Sequence, residues 1–172
     1  MGLDMYLYLR KQEYVSAYTA PEKREFELAY PGIIVRNFPE TAEPMDEKAD
    51  DDRSITCNIL YKVGYWRKAN HIHHWFVHNC AGDVDECQDI YVSLDDLEQL
   101  ETLCAQVLSD HSKAPELLPT RSGFFFGGTE YDEYYFKDTE YTLKIVQQTI
   151  AFMTERDAEH DYDWDVLYRA SW

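Results

Sequence analysis

The sequence predicts an α+β domain: a mainly antiparallel sheet of about five strands with about three helices packed on one face. Three observations predict it. Residues near both ends alternate apolar and polar, the pattern of a strand with one face buried. Internal stretches instead place apolar residues three and four apart, the spacing of a helix. With 172 residues, 45% of them hydrophobic, the chain has the length of one domain and can build a core without a disulfide or a metal.

The elements follow in order. Leu3, Met5, Leu7 and Leu9 face one way and Asp4, Tyr6 and Tyr8 the other, which predicts a half-buried first strand. Glu25 to Ala29, the turn Tyr30-Pro31-Gly32, and Ile33 to Arg36 read as strand, turn, strand. An irregular acidic loop over residues 37–54 carries Pro39, Pro44 and the run Asp50-Asp51-Asp52. Ile55 to Tyr65 predicts a further strand, with Gly64 near its end. Arg67 to Cys80 reads as a helix stopped by Gly82. Its inward stripe is Ala69, Ile72, His73, Phe76, Val77 and Cys80, and its outward stripe is Arg67, His71, His74, Trp75 and His78.

Asp89 to Val92 predicts a short strand. Ser93 is the expected cap of the next helix, with Asp95 and Asp96 in its first turn, where the dipole favours them. Leu97, Leu100, Leu103, Cys104 and Val107 are the core face of that helix. Gly123 to Gly128 predicts a short buried strand, and a long helix follows between Glu130 and Met153. Asp163 to Ala170 alternates and closes the sheet. No segment repeats, so residues 1–172 read as a single domain.

The formal net charge of −17 opposes direct nucleic-acid binding, because the phosphate backbone repels an acidic surface. The same charge permits the reverse role, a nucleic-acid mimic that occupies a basic partner. Solubility alone also accounts for it. Cys57, Cys80, Cys87 and Cys104 form no CxxC pair, and the first residues lack the pattern of a secretory leader. Apolar runs fall well short of the roughly 20 residues that span a bilayer. The expected setting is the cytoplasm, with free thiols and no membrane contact.

The densest chemistry lies in Gly64 to His78, which holds four histidines, two tryptophans, an Arg, a Lys and an Asn in fifteen residues. Trp66, Arg67, Lys68 and Asn70 fall at a strand-to-helix junction, where free N–H groups and the helix dipole favour an anion. Packing and ion pairing explain the same residues without a ligand. His73 is the candidate general base if its buried ring meets a carboxylate in a cleft; it is otherwise a core histidine held by hydrogen bonds. His71, His74 and His78 lie on one stripe, but their ends are two turns apart, roughly 10 Å, too far to share one ion. No metal site or other cofactor is assigned. Glu130, Asp132 and Glu133 bring carboxylates together among Tyr131, Tyr134 and Tyr135, behind the pair Gly127-Gly128. They are candidate ligand contacts, or else the acidic first turn of a helix capped by Thr129.

Three blocks taken together resemble a family of small uncharacterised proteins of tailed bacteriophages and prophages. They are Met1 to Tyr8, Gly64 to Phe76, and Ser122 to Gly127 with Thr129 to Asp132. The central block is carried by Tyr65, Trp66, Arg67, Lys68, Asn70, Ile72, His73, Trp75 and Phe76, leaving His71, His74 and His78 outside it. The resemblance implies a setting, the cytoplasm of an infected bacterial cell, and an accessory role outside the virion. It implies no activity.

The expected function is therefore a binding protein for a small anionic ligand, a nucleotide among the candidates, or for a host protein, in counter-defence or host takeover. Its ligand contacts would be Trp66, Arg67, Lys68, Asn70, Trp75, Glu130, Tyr131, Asp132 and Tyr134. The alternatives are a hydrolase of phosphate- or nucleotide-containing substrates with His73 as base, and an acidic decoy acting through charge alone.

Overall fold

A computed structural model describes residues 2–15, 33–37, 55–123 and 126–172. Among these, the strands are β1 (Asp4–Val15), β2 (Ile33–Asn37), β3 (Ile55–Arg67), β4 (Ile90–Val92) and β5 (Trp164–Ser171). The helices are α1 (Asn70–Cys80), α2 (Leu94–Ser109), the single turn α3 (Ala114–Leu117) and α4 (Glu133–Ala158). The sheet has the order β2-β3-β1-β5-β4, and each neighbouring pair is antiparallel. The fold is α+β, as the alternating ends of the chain predict.

β1 takes the centre because it is the most apolar strand on one face. Leu3, Met5 and Leu7 are fully buried, in one core with Trp66 from β3, Val166, Tyr168 and Ala170 from β5, and the helices. Tyr8, Leu60 and Leu167 form a separate small cluster on the other face. Every buried helix residue of the apolar core belongs to the first cluster, so the described helices lie on one side of the sheet. None of them is long and apolar enough to cross a membrane.

A single glycine lets β3 join this core. Gly64 lies opposite Leu7, next to a bulge in the β1–β3 register. The ring of Trp66 folds back over Gly64: a Cβ there would meet Trp66 Cη2 at 2.7 Å and Ile145 Cγ2 at 3.1 Å. The indole N–H of Trp66 donates to Thr142 Oγ1 of α4 at 2.8 Å, which fixes the ring and ties the sheet to the longest helix.

The structure revises several local expectations. α1 begins at Asn70 rather than Arg67, because Arg67 still pairs with Asp4 across the sheet. Ser93 caps α2 as expected, in a capping box with Asp96. The cap of α4 is Asp132, not Thr129, and its carboxylate accepts from the Tyr134 and Tyr135 N–H groups at 3.0 and 3.1 Å. A carboxylate at the positive end of the dipole outcompetes a hydroxyl three residues earlier. Gly123 and Phe126 to Gly128 are not a strand: the Asn70 side chain takes the Phe126 and Gly128 carbonyls, and Gly127 has φ 86°. The expected strand at 25–29, nearly all of the acidic loop, and Phe124 and Phe125 lie outside the described residues.

Candidate functional site

α1 is buried on more than one side, and this decides where chemistry is exposed. Its buried residues include His71 and Trp75, both expected on the outward stripe, along with Ile72, His73, Phe76 and Val77. α4 covers the His71 side: the ring lies 4.0 Å from that of Tyr135 and bonds Thr139. Among the described residues, α1 is most exposed at its end around His74 and His78.

That end forms a cleft of about 430 Å³ with the 83–85 turn and the segment at Arg121, Ser122 and Phe126. Two of its imidazoles pair with its two carboxylates. His78 Nδ1 bonds Asp83 Oδ1 at 2.9 Å, and this contact holds the Asp83 carboxyl below its ordinary pKa. Asp83 has φ 65°, a left-handed backbone that aspartate tolerates, directly after Gly82 at φ 58°. The chain thereby turns back sharply enough for Asp83 to reach His78.

His73 is held at both ring nitrogens. Its Nε2–H donates to Asp85 Oδ2 at 2.9 Å, since a carboxylate can only accept. In the neutral ring, Nδ1 then accepts from Tyr168 Oη at 2.8 Å. Burial pushes the Tyr168 phenol well above its ordinary pKa, so it stays a donor. Asp85 also accepts from the indole N–H of Trp172 at 3.2 Å. The chain Tyr168–His73–Asp85–Trp172 joins β5, α1, the 83–85 turn and the residue that follows β5. With its side chain 2% exposed, His73 presents no free nitrogen to the cleft.

Arg121 is positioned by two contacts from α1. Its backbone N–H donates to Asn70 Oδ1 at 2.9 Å, and its side-chain Nε donates to His74 Nε2 at 3.2 Å. Burial and the Arg121 charge lower the His74 pKa, which favours the neutral ring needed to accept that bond. Arg10, Arg67, Arg156 and Arg169 each lie within 4.0 Å of a carboxylate. Arg121 has no carboxylate partner among the described residues.

The residues expected to bind a ligand are dispersed. Trp66 is core, 2% exposed, while the Arg67 side chain is 63% exposed and 4.0 Å from Asp4. Lys68 is exposed, with φ 64°. Its carbonyl accepts the Asn70 N–H, and the Ala69 carbonyl accepts those of Ile72 and His73. The first turn of α1 is therefore largely closed on itself instead of open to an anion. Asn70 is a buried clamp. Trp75 is 4% exposed. Glu130, Tyr131, Asp132 and Tyr134 are exposed at the start of α4, where Asp132 serves as its cap.

Arg121, Ser122, Asp83 and Asp85 were not legible as site residues. The one local signal was the Gly82 stop, which folds Asp83 back on His78. No group of three or more His, Cys, Asp or Glu among the described residues is arranged to hold a metal ion. No family model, curated protein or solved structure matches the chain.

Proposed function

We propose that this protein binds a small anionic ligand of the phosphate or carboxylate class in the cleft beside α1, with Arg121 as its anchor. The observation that carries this reading is the guanidinium of Arg121, which has no carboxylate in salt-bridge contact among the described residues and is oriented by His74 and Asn70 in a chain of net charge −17. With Nε committed to His74, the two Nη groups remain for a bidentate contact with an oxyanion. Ser122 adds a hydroxyl, and an imidazole faces each of the carboxylates Asp83 and Asp85. The resemblance to small phage and prophage proteins supports a setting for it: an accessory factor in an infected bacterial cell that sequesters such a ligand.

Native mass spectrometry of the protein purified from a bacterial host, followed by calorimetry with inorganic phosphate and nucleoside monophosphates, tests this. Arg121→Gln should weaken binding roughly tenfold or more, the usual worth of a hydrogen bond to a charged group. Arg67→Gln, in solvent beside Asp4, should bind as the parent does. Equal affinity in Arg121→Gln would remove the anchor and the proposal with it.

One observation favours a second reading, a hydrolase of phosphate- or nucleotide-containing substrates. His78 is oriented through Nδ1 by Asp83, and its Nε2 has no hydrogen-bond partner among the described residues of the cleft that holds Arg121. A carboxylate that orients an imidazole in this way leaves the other nitrogen to act as base. The base then passes from His73 to His78. Recovery of a chemically altered ligand, abolished by His78→Ala, would select this reading.

A further inference from the structure

The groups along the exposed end of α1 carry opposite charges at their two ends. Arg121 Nε donates to His74 Nε2 at 3.2 Å. One turn further along α1, the His78 ring lies 5.7 Å from that of His74, centroid to centroid. Beyond it, His78 Nδ1 bonds Asp83 Oδ1 at 2.9 Å. Two imidazoles therefore stand between a guanidinium and a carboxylate. The two charges are near enough for Arg121 to help lower the Asp83 pKa, yet they do not meet in a salt bridge.

Both ends have binding capacity left. Arg121 keeps its two Nη groups, and Asp83 Oδ2 has no hydrogen bond among the described residues. The Asp83 side chain is 63% exposed, within reach of a solute. Asp85, bonded by His73 and Trp172, adds a second carboxylate to the same cleft. Apart from its imidazoles, the cleft thus sets one cation against two carboxylates. A plain oxyanion satisfies Arg121 but is repelled by Asp83 and Asp85. A ligand that also carries a positive group satisfies both ends. A metal ion is the poorer candidate for that positive charge, because no group of three or more His, Cys, Asp or Glu among the described residues is arranged to hold one. An ammonium group needs only acceptors, which a carboxylate supplies.

We infer that the cleft takes a small zwitterion, with an oxyanion on Arg121 and, across a short spacer, an ammonium group on Asp83. Aminoalkyl phosphates and amino acids share this chemistry. The volume of about 430 Å³ is more than an inorganic oxyanion fills, and Val77 and Phe126 add apolar lining suited to the methylenes of a spacer. The inference rests on the anion reading of this cleft and supplies the other half of the ligand.

Calorimetry near neutral pH and at one ionic strength compares two matched pairs: O-phosphoethanolamine against ethyl phosphate, and β-alanine against propionate. In at least one pair the ammonium-bearing member should bind roughly tenfold tighter, the usual worth of a hydrogen bond to a charged group, and that pair names the oxyanion. Asp83→Asn should remove the preference. Asparagine tolerates the left-handed backbone at this position, and its amide oxygen still accepts from His78, so the imidazole keeps its place. Glu140→Gln, an equal change of net charge at an exposed position on α4, should leave the preference as it is. Equal affinity within both pairs would overturn the inference and leave the anion reading standing, and so would a preference that survives in Asp83→Asn. No binding of any of the four at millimolar concentration would remove the anion reading and the inference together.

Discussion

Asn70 Oδ1 accepts the backbone N–H of Arg121 at 2.9 Å, across 51 residues of sequence. Its Nδ2 donates to the Phe126 and Gly128 carbonyls at 3.1 and 2.7 Å. One buried amide at the start of α1 thus satisfies three backbone groups of the segment that carries Arg121. A local turn cannot do this, because Gly127 holds that segment in a left-handed conformation against the backbone of Lys68.

Asn70→Ala is accordingly expected to cost about 2–4 kcal/mol of folding stability, since three hydrogen bonds go and their backbone partners are left behind. It should also weaken phosphate binding, because Arg121 loses its tether. Urea denaturation and calorimetry on the same sample measure both. Full stability would show that water replaces the amide.

Replacing Gly64 by alanine sets a methyl group against Trp66, whose ring is pinned by Thr142 and cannot simply swing away. A loss of about 1–3 kcal/mol is expected, in the range of overpacked cores. Thermal unfolding should show the loss, and near-ultraviolet circular dichroism should show a displaced indole.

Removing the Tyr168 hydroxyl by Tyr168→Phe leaves His73 Nδ1 without its donor. A loss of about 1–3 kcal/mol is expected, with anion affinity changed little. Arg121→Gln should do the reverse and stay within about 0.5 kcal/mol of the parent in stability, as exposed substitutions usually do. A Tyr168→Phe protein that folds normally but fails to bind phosphate would return His73 to the functional site.

The pH dependence follows from His71. Its folded pKa of about 3 lies below the ordinary 6.5, so between those values the unfolded chain binds the proton and the folded chain does not. Stability from this residue is complete above 6.5 and declines as pH falls toward 3, by several kcal/mol in total. Asp138 works in the opposite sense: burial lifts it from 3.8 to about 6, so the folded chain is the better proton binder in that range. His71→Gln leaves Asp138 untouched. The variant should therefore lose less stability than the parent on acidification, and parallel curves from denaturation at a series of pH values would contradict the assignment.

Local pattern made much of the architecture legible. The alternation of Leu3, Met5, Leu7 and Leu9 set a strand, and the Ser93 cap set the start of α2, because both depend on neighbours a few residues away. The stripe on α1 misled for a physical reason. An amphipathic reading assumes one apolar face, but His71 and Trp75 are covered as well, the former by α4. Trp66 looked available for stacking because nothing near it in sequence announces Thr142, 76 residues away.

By itself, then, the sequence determined the α+β class, the strand and helix segments of the described core, and the acidic character of the surface. These follow from side-chain period, capping and charge, all of which act over a few residues or simply add. The tertiary structure alone decided which side of α1 is open, that both nitrogens of His73 are bonded, and that Arg121 faces His74 with no carboxylate in salt-bridge contact among the described residues. Those outcomes depend on contacts between distant elements, where burial and pairing are settled by which surfaces meet.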